Sequence, residues 1–105
     1  MNDDAIRDLF ASLEDVTIRP MFGGKGIYSK GLIVAVEVNH DILLKADAMS
    51  APAFEAAGSR QWTYQGKKQP VRMPYWSIPE AAIDDPDRFA HWANLAFEAA
   101  KRAGK

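Results

Sequence analysis

Apolar and polar positions alternate with two different periods along this chain, and the switches between them mark the elements. Ile6, Leu9, Phe10 and Leu13 follow the i, i+3, i+4, i+7 spacing of one helix face. The spacing predicts a helix over residues 3–13, capped by Asp3 or Asp4 and dependent on packing because it is short. The period then shortens. Residues 16–22 are β-prone, and Pro20 pushes that strand toward an edge or a bulge. Gly23, Gly24 and Gly26 allow a tight bend, after which Ile27 and Tyr28 begin a second strand. In Leu32–Val38 every even position is apolar, whereas the odd ones drift to Glu37 and Asn39. That pattern predicts a strand with one face buried throughout. Turn residues at 29–31 and 39–41 flank it, and residues 42–46 return, so 26–46 should form an antiparallel meander.

A short helix ending near Ala57 follows, capped by Asp47 or, preferably, Ser50, with Pro52 in its first turn and Gly58 after its end. Residues 61–64 and 71–73 read as two strands around a Gly66-Lys67-Lys68 turn, and Pro70 and Pro74 make them edge-like or irregular. Residues 79–83 form a brief helical turn. The final helix is the clearest. Asp85 caps it, Pro86 takes its first position, Lys101 and Arg102 suit its negative end, and Gly104 stops it. Phe89, Trp92, Ala93, Ala96, Phe97 and Ala100 share one face. The order α-β-β-β-β-α-β-β-α, with hairpin-sized loops, predicts an α+β fold. It has two layers, a mostly antiparallel sheet of five to six strands carrying helices on one face.

Composition narrows the function. The 105 residues are expected to form a single domain, and 48% hydrophobic with 26% charged is a globular balance. No cysteine is present, which excludes disulfides and thiolate metal sites. The acidic N-terminus lacks the features of a secretory signal, and no apolar run approaches the ~20 residues of a membrane span. By elimination, a cytoplasmic location away from membranes is expected.

The net charge of −1 is unevenly spread. Residues 1–16 hold five acids against Arg7, whereas residues 17–76 hold eight bases against four acids. Solvated Lys-rich turns account for this more simply than an anion-binding face, and a stand-alone DNA-binding domain is usually basic overall.

Candidate chemistry is sparse. His40 and His91 belong to different elements and have no ligand spacing, and no serine sits in a nucleophile elbow. Asp84-Asp85 reads as capping. Gly23-Gly24-x-Gly26 lacks the order and the following helix of a phosphate-binding loop. No catalytic residue, metal ligand or cofactor is expected, and the chain is expected not to be an enzyme. Trp62, Tyr64, Tyr75 and Trp76, with Arg60 and Arg72 nearby, interleave aromatics and arginines. Such clusters pack cores and edges, and they also form protein hot spots or stack single-stranded nucleic acid.

Arg19-Pro20-Met21-Phe22-Gly23-Gly24-Lys25-Gly26-Ile27-Tyr28 resembles the MFGG-x-GIY segment of the TfoX/Sxy competence-regulator family, in its N-terminal domain. Leu44-Lys45-Ala46-Asp47, residues 54–60, Thr63-Tyr64, Met73-Pro74-Tyr75-Trp76 with Pro79, and Asp84-Asp85-Pro86 keep order and spacing. The resemblance runs from about residue 5 to 100. It implies a secretion-chaperone-like fold and a non-enzymatic coregulator in the transcriptional control of natural transformation. Full-length family members carry a second, C-terminal helical domain, and this chain ends at Lys105 without one, so a stand-alone N-terminal domain is expected here.

The expected partner is a protein of the transcription machinery. Direct nucleic-acid binding, and a small-molecule site or unrecognised enzyme lined by Tyr28, Lys45 and Arg60, are the alternatives. An exposed sheet face or edge is also able to pair two copies as a homodimer. The candidate interaction surface comprises Met21, Phe22, Gly23, Gly24, Lys25 and Tyr28 from the glycine segment. To these it adds Lys45, Arg60, Tyr64, Arg72, Tyr75 and Trp76.

Overall fold

A computed structural model describes residues 1–21 and 23–104. The elements run α1 (Asp3–Leu9), β1 (Val16–Met21), β2 (Gly24–Ser29), β3 (Leu32–Val38) and β4 (Asp41–Lys45). They continue with α2 (Ala51–Ala56), β5 (Gln61–Gln65), β6 (Pro70–Ser77), a 3₁₀ turn (Glu80–Ala82) and α3 (Pro86–Ala103). The six strands form one sheet in the order β1-β2-β3-β4-β6-β5, every neighbouring pair antiparallel. This is the α+β architecture and element order expected from the sequence.

Local chemistry explains the meander. Lys30 and Gly31 have φ of 51° and 79°, and Asn39 and His40 have 51° and 70°. Two consecutive positive-φ residues make the tight hairpin turn whose twist matches the strands it joins. Pro20 lies in β1, an edge strand, where its missing N–H leaves no ladder gap.

The core lies between the sheet and the helices. Ile27, Ala35, Leu44 and Trp76 form one cross-strand row by register, and all belong to the buried cluster. Ile6 covers it from α1 and Phe10 from the residue after it, Phe54 from α2, and Phe89, Ala93, Ala96 and Ala100 from α3. The small alanines let the helix axis approach the strands closely. Phe10 meets Phe89 edge-to-face at 5.2 Å. Asp85 accepts from the Arg88 N–H at 3.2 Å, and Gly104 ends α3 in the left-handed region at φ 71°.

Several details differ from the sequence reading. Strand β3 does not bury one parity throughout. Ile27 pairs with Ala35 but Tyr28 pairs with Ile33, which leaves Val34 as a bulge residue. Leu32 and Val34 therefore face the helices before the bulge, and Ala35 and Glu37 after it. Val36 is turned to the opposite face. Strand β2 begins at Gly24, not Ile27, because Gly24 pairs with Met21 of β1 and Gly26 pairs with both neighbours.

Strand β6 is interior despite two prolines. Its pairing shifts around Pro74, whose carbonyl still accepts from the Ala46 N–H at 3.0 Å. Helix α1 is capped by Asn2, not by Asp3 or Asp4, and stops at Leu9, before the predicted end. Ser50 precedes α2 without capping it. Its Oγ instead accepts from the Asp47 N–H at 3.0 Å.

Candidate functional site

Alternation along the strands divides the predicted surface residues between two sides of the sheet. All three helices occupy one face. The other carries Arg19 and Met21 from β1, Tyr28 from β2, Val36 from β3, Leu43 and Lys45 from β4, and Tyr75 from β6. At the far edge, β5 adds Trp62 and Tyr64, whose rings meet at 6.3 Å and 82°.

Aromatic and cationic side chains recur across this helix-free face. The Arg19 guanidinium lies 5.2 Å from the Tyr28 ring centroid, a cation–π distance. Lys45 sits directly opposite Tyr75 in the β4–β6 ladder. Burial lowers the Lys45 ammonium from its ordinary value, with Asp47 opposing the shift. Burial raises the Tyr75 phenol, and Tyr28 adds to the effect. Four strand spacings separate β2 from β5, so the face from Tyr28 to Tyr64 spans about 19 Å.

The glycine segment serves geometry. A Cβ on Gly24 would collide with the Glu37 backbone carbonyl. A Cβ on Gly26 would meet Met21 Cε at 3.0 Å and Tyr28 Cε1 at 3.1 Å. Those two glycines let β2 lie close to β3 and make room for the Tyr28 ring. Lys25, considered for anion contact, is already occupied. Its Nζ donates to Asp3 Oδ1 at 2.8 Å and to the Met1 carbonyl at 3.1 Å. That hydrogen bond raises the ammonium and lowers the Asp3 carboxyl. Beside it, buried Glu37 accepts from the N-terminal ammonium at 2.9 Å. Gly23 occupies a positive φ of 77° in the β1–β2 connection, and Phe22 lies outside the described residues.

Arg72 and Trp76 belong to the helix side by register, and Arg60 joins them in lining a cleft there. The β5–β6 hairpin runs beyond the part of the sheet that α3 covers, and faces α2 across an open cleft of about 740 Å³. Thr63, Arg72, Pro74 and Trp76 line it from the hairpin, Ala51 and Glu55 from α2, and Ser59 and Arg60 from the segment that joins them. Asp47, also on this rim, receives the Arg102 guanidinium in a fork at 2.6 and 2.9 Å. That hydrogen bond holds the Asp47 carboxyl down at about 2.

Tyr28, Lys45 and Arg60 thus do not line one pocket: the first two share the helix-free face and the third lies in the cleft. The aromatic cluster is likewise split, because Tyr75 and Trp76 are consecutive in a strand and point to opposite faces. Arg19 and Ser59 were missed as candidate site residues, and Trp62, named in the aromatic cluster, was left out of the candidate surface. The alternation Thr17-Arg19-Met21 carried the signal for the first. Nothing local marked Ser59.

Other chemistry is scarce among the described residues. No group of three or more His, Cys, Asp or Glu is placed to hold a metal. His91 is exposed on α3, and His40 lies in a hairpin turn. No described helix is long and apolar enough to cross a membrane.

No curated protein sequence matches the chain. A family model for the TfoX N-terminal domain matches residues 8–100, from within α1 to near the end of α3. That span takes in the whole sheet, the glycine segment and the aromatic strands, and the chain belongs to the TfoX N-terminal domain family.

Proposed function

We propose that this domain is a non-enzymatic regulatory module that binds a protein of the transcription machinery through the helix-free face of its sheet. One observation supports this reading above the others. A face about 19 Å across carries Tyr28, Trp62 and Tyr64 with Met21 and Leu43 around the buried Tyr75, and every described helix packs on the opposite side. Aromatic and methionine side chains that are backed by a rigid sheet are the usual energetic anchors of protein interfaces. Tyr64 and Val71, 55% and 47% exposed, lie at its open edge, where a partner gains most by covering them.

Protein fits this face better than nucleic acid does. Arg19 is committed to the Tyr28 ring, Lys45 is half-buried, and Tyr75 is only 8% exposed, so few phosphates and bases find partners. The experiment is site-specific photocrosslinking in cells, with the reactive residue at Tyr64, at Val71, or at His91 on α3 as a control. Adducts to polymerase or a transcription regulator are expected from the first two positions and not from the third. Position-independent adducts, or none to the transcription machinery, would overturn the reading. A salt-sensitive complex with single-stranded DNA or RNA that Tyr64→Ala weakens would replace the protein by a nucleic acid.

A further inference from the structure

The cleft between α2 and the β5–β6 hairpin is unused by the helix-free face, and its polar groups are left unanswered. Arg60 and Arg72 both line it, and neither has a described carboxylate within salt-bridge distance. Ser59 also lines it. That residue is 9% exposed, and its Oγ is the one buried side-chain polar atom that finds no hydrogen-bond partner among the described residues. Buried hydroxyls are nearly always satisfied, so an orphan in a cleft that two arginines without described carboxylate partners also line marks a place where an acceptor belongs.

The local charge agrees. Asp47 is neutralised by Arg102, so among the described lining residues Glu55 supplies the one carboxylate without an ion-pair partner to set against Arg60 and Arg72. The cleft therefore carries an excess positive charge in a chain whose net charge is −1. Ala51, Pro74 and Trp76 add apolar lining, beside the polar Gln61 and Thr63.

We propose that this cleft is a binding site for a small organic anion. Its carboxylate or phosphate is held by Arg60, Arg72 and the Ser59 hydroxyl, and its apolar body rests against Pro74 and Trp76. Guanidinium groups suit either head group, since both present paired oxygens to a planar fork of donors. The volume of about 740 Å³ matches a metabolite-sized ligand and exceeds what a lone inorganic ion fills.

The test is amide-resolved NMR titration of the whole chain with three probes: benzoate, phenyl phosphate and inorganic phosphate. Saturable shifts confined to residues 46–61 and 72–76 are expected with at least one organic probe. The stronger of benzoate and phenyl phosphate identifies the head group, and inorganic phosphate alone should bind more weakly than phenyl phosphate. Arg72→Gln, at an exposed position, should lower the affinity roughly tenfold, the loss of one charge-assisted hydrogen-bonded contact. Glu55→Gln should tighten binding, because it removes the opposing charge. Ser59→Ala should weaken binding while raising the thermal midpoint, a pair of opposite effects that a merely structural serine would not give. The proposal falls if no organic probe gives saturable shifts in these segments, or if Arg72→Gln and Arg60→Gln bind as the parent does.

Discussion

Helix α2 is two turns or less and buries a single side chain, Phe54, so the chain offers a clean test of how a short helix is fastened. Phe54 is fully buried, with its ring centroid 4.8 Å from that of Trp92 and 6.3 Å from that of Trp76. Helices this short have no stability of their own in water. Phe54→Ala removes the ring and leaves a cavity flanked by two tryptophans, a change that costs about 3–5 kcal/mol. Of this, the two aromatic contacts contribute about 0.5–1.5 kcal/mol each.

A domain of this size is stable by only about 5–15 kcal/mol, so the variant should fold but marginally. With a urea dependence of about 1–3 kcal/mol per molar, the unfolding midpoint should fall by about 2 M. Intrinsic fluorescence reports it directly, since Trp76 and Trp92 are the residues touched. Phe54→Leu keeps the apolar burial and loses the rings, and should cost about 1–2 kcal/mol. Hydrogen exchange at residues 51–59 completes the test. A midpoint shift below roughly 0.5 M with those amides still protected would refute the claim that one phenylalanine holds α2 to the core.

Three further outcomes follow from the geometry. Gly24→Ala drives a methyl into the Glu37 backbone carbonyl and should lower stability by more than about 2 kcal/mol, whereas Gly26→Ala meets only the movable ends of Met21 and Tyr28 and should cost less than about 1 kcal/mol, both read by thermal melts. Ala96→Leu puts extra methylenes where α3 packs with no exposed surface, and should destabilise by about 1–3 kcal/mol in urea unfolding. The Asp47 carboxyl sits at about 2 when folded against an ordinary 3.8, so its ion pair with Arg102 stabilises the fold fully above pH 3.8 and is lost as pH falls toward 2. Asp47→Asn should therefore flatten the acid limb of the stability profile over that window and weaken the fold at neutral pH, as measured by melts across pH.

What the sequence disclosed depended on how local the cause was. Helix α3 was legible end to end because Asp85, Pro86 and Gly104 act through their own backbone. The hairpin turns at Lys30-Gly31 and Asn39-His40 were legible for the same reason. The bulge at Val34 was not, because it exists only in the pairing with β2, and alternation read along one strand assigns Val36 to the wrong face. Pro70 and Pro74 misled in part. They signalled irregularity correctly, but nothing local showed that β6 would add to β4 and leave β5 outside.

The aromatic and arginine residues were identified by type, yet consecutive positions such as Tyr75 and Trp76 cannot share a sheet face. One predicted cluster therefore became two sites. The cleft depends on α2 and the hairpin approaching from separate parts of the chain, and composition carries no trace of that meeting.

The placement of α3 after every strand has a consequence for synthesis. Ribosomes release residues in order, at about 5–20 per second, so roughly 3–12 s separate the appearance of Lys45 from that of Ala103. Throughout that interval Ile27, Ala35 and Leu44 lie on an apolar surface that still lacks its α3 cover and that neighbouring nascent chains can reach. The meander is ready to pair long before its lid exists, and the yield of folded protein should depend on what shields the sheet while it waits.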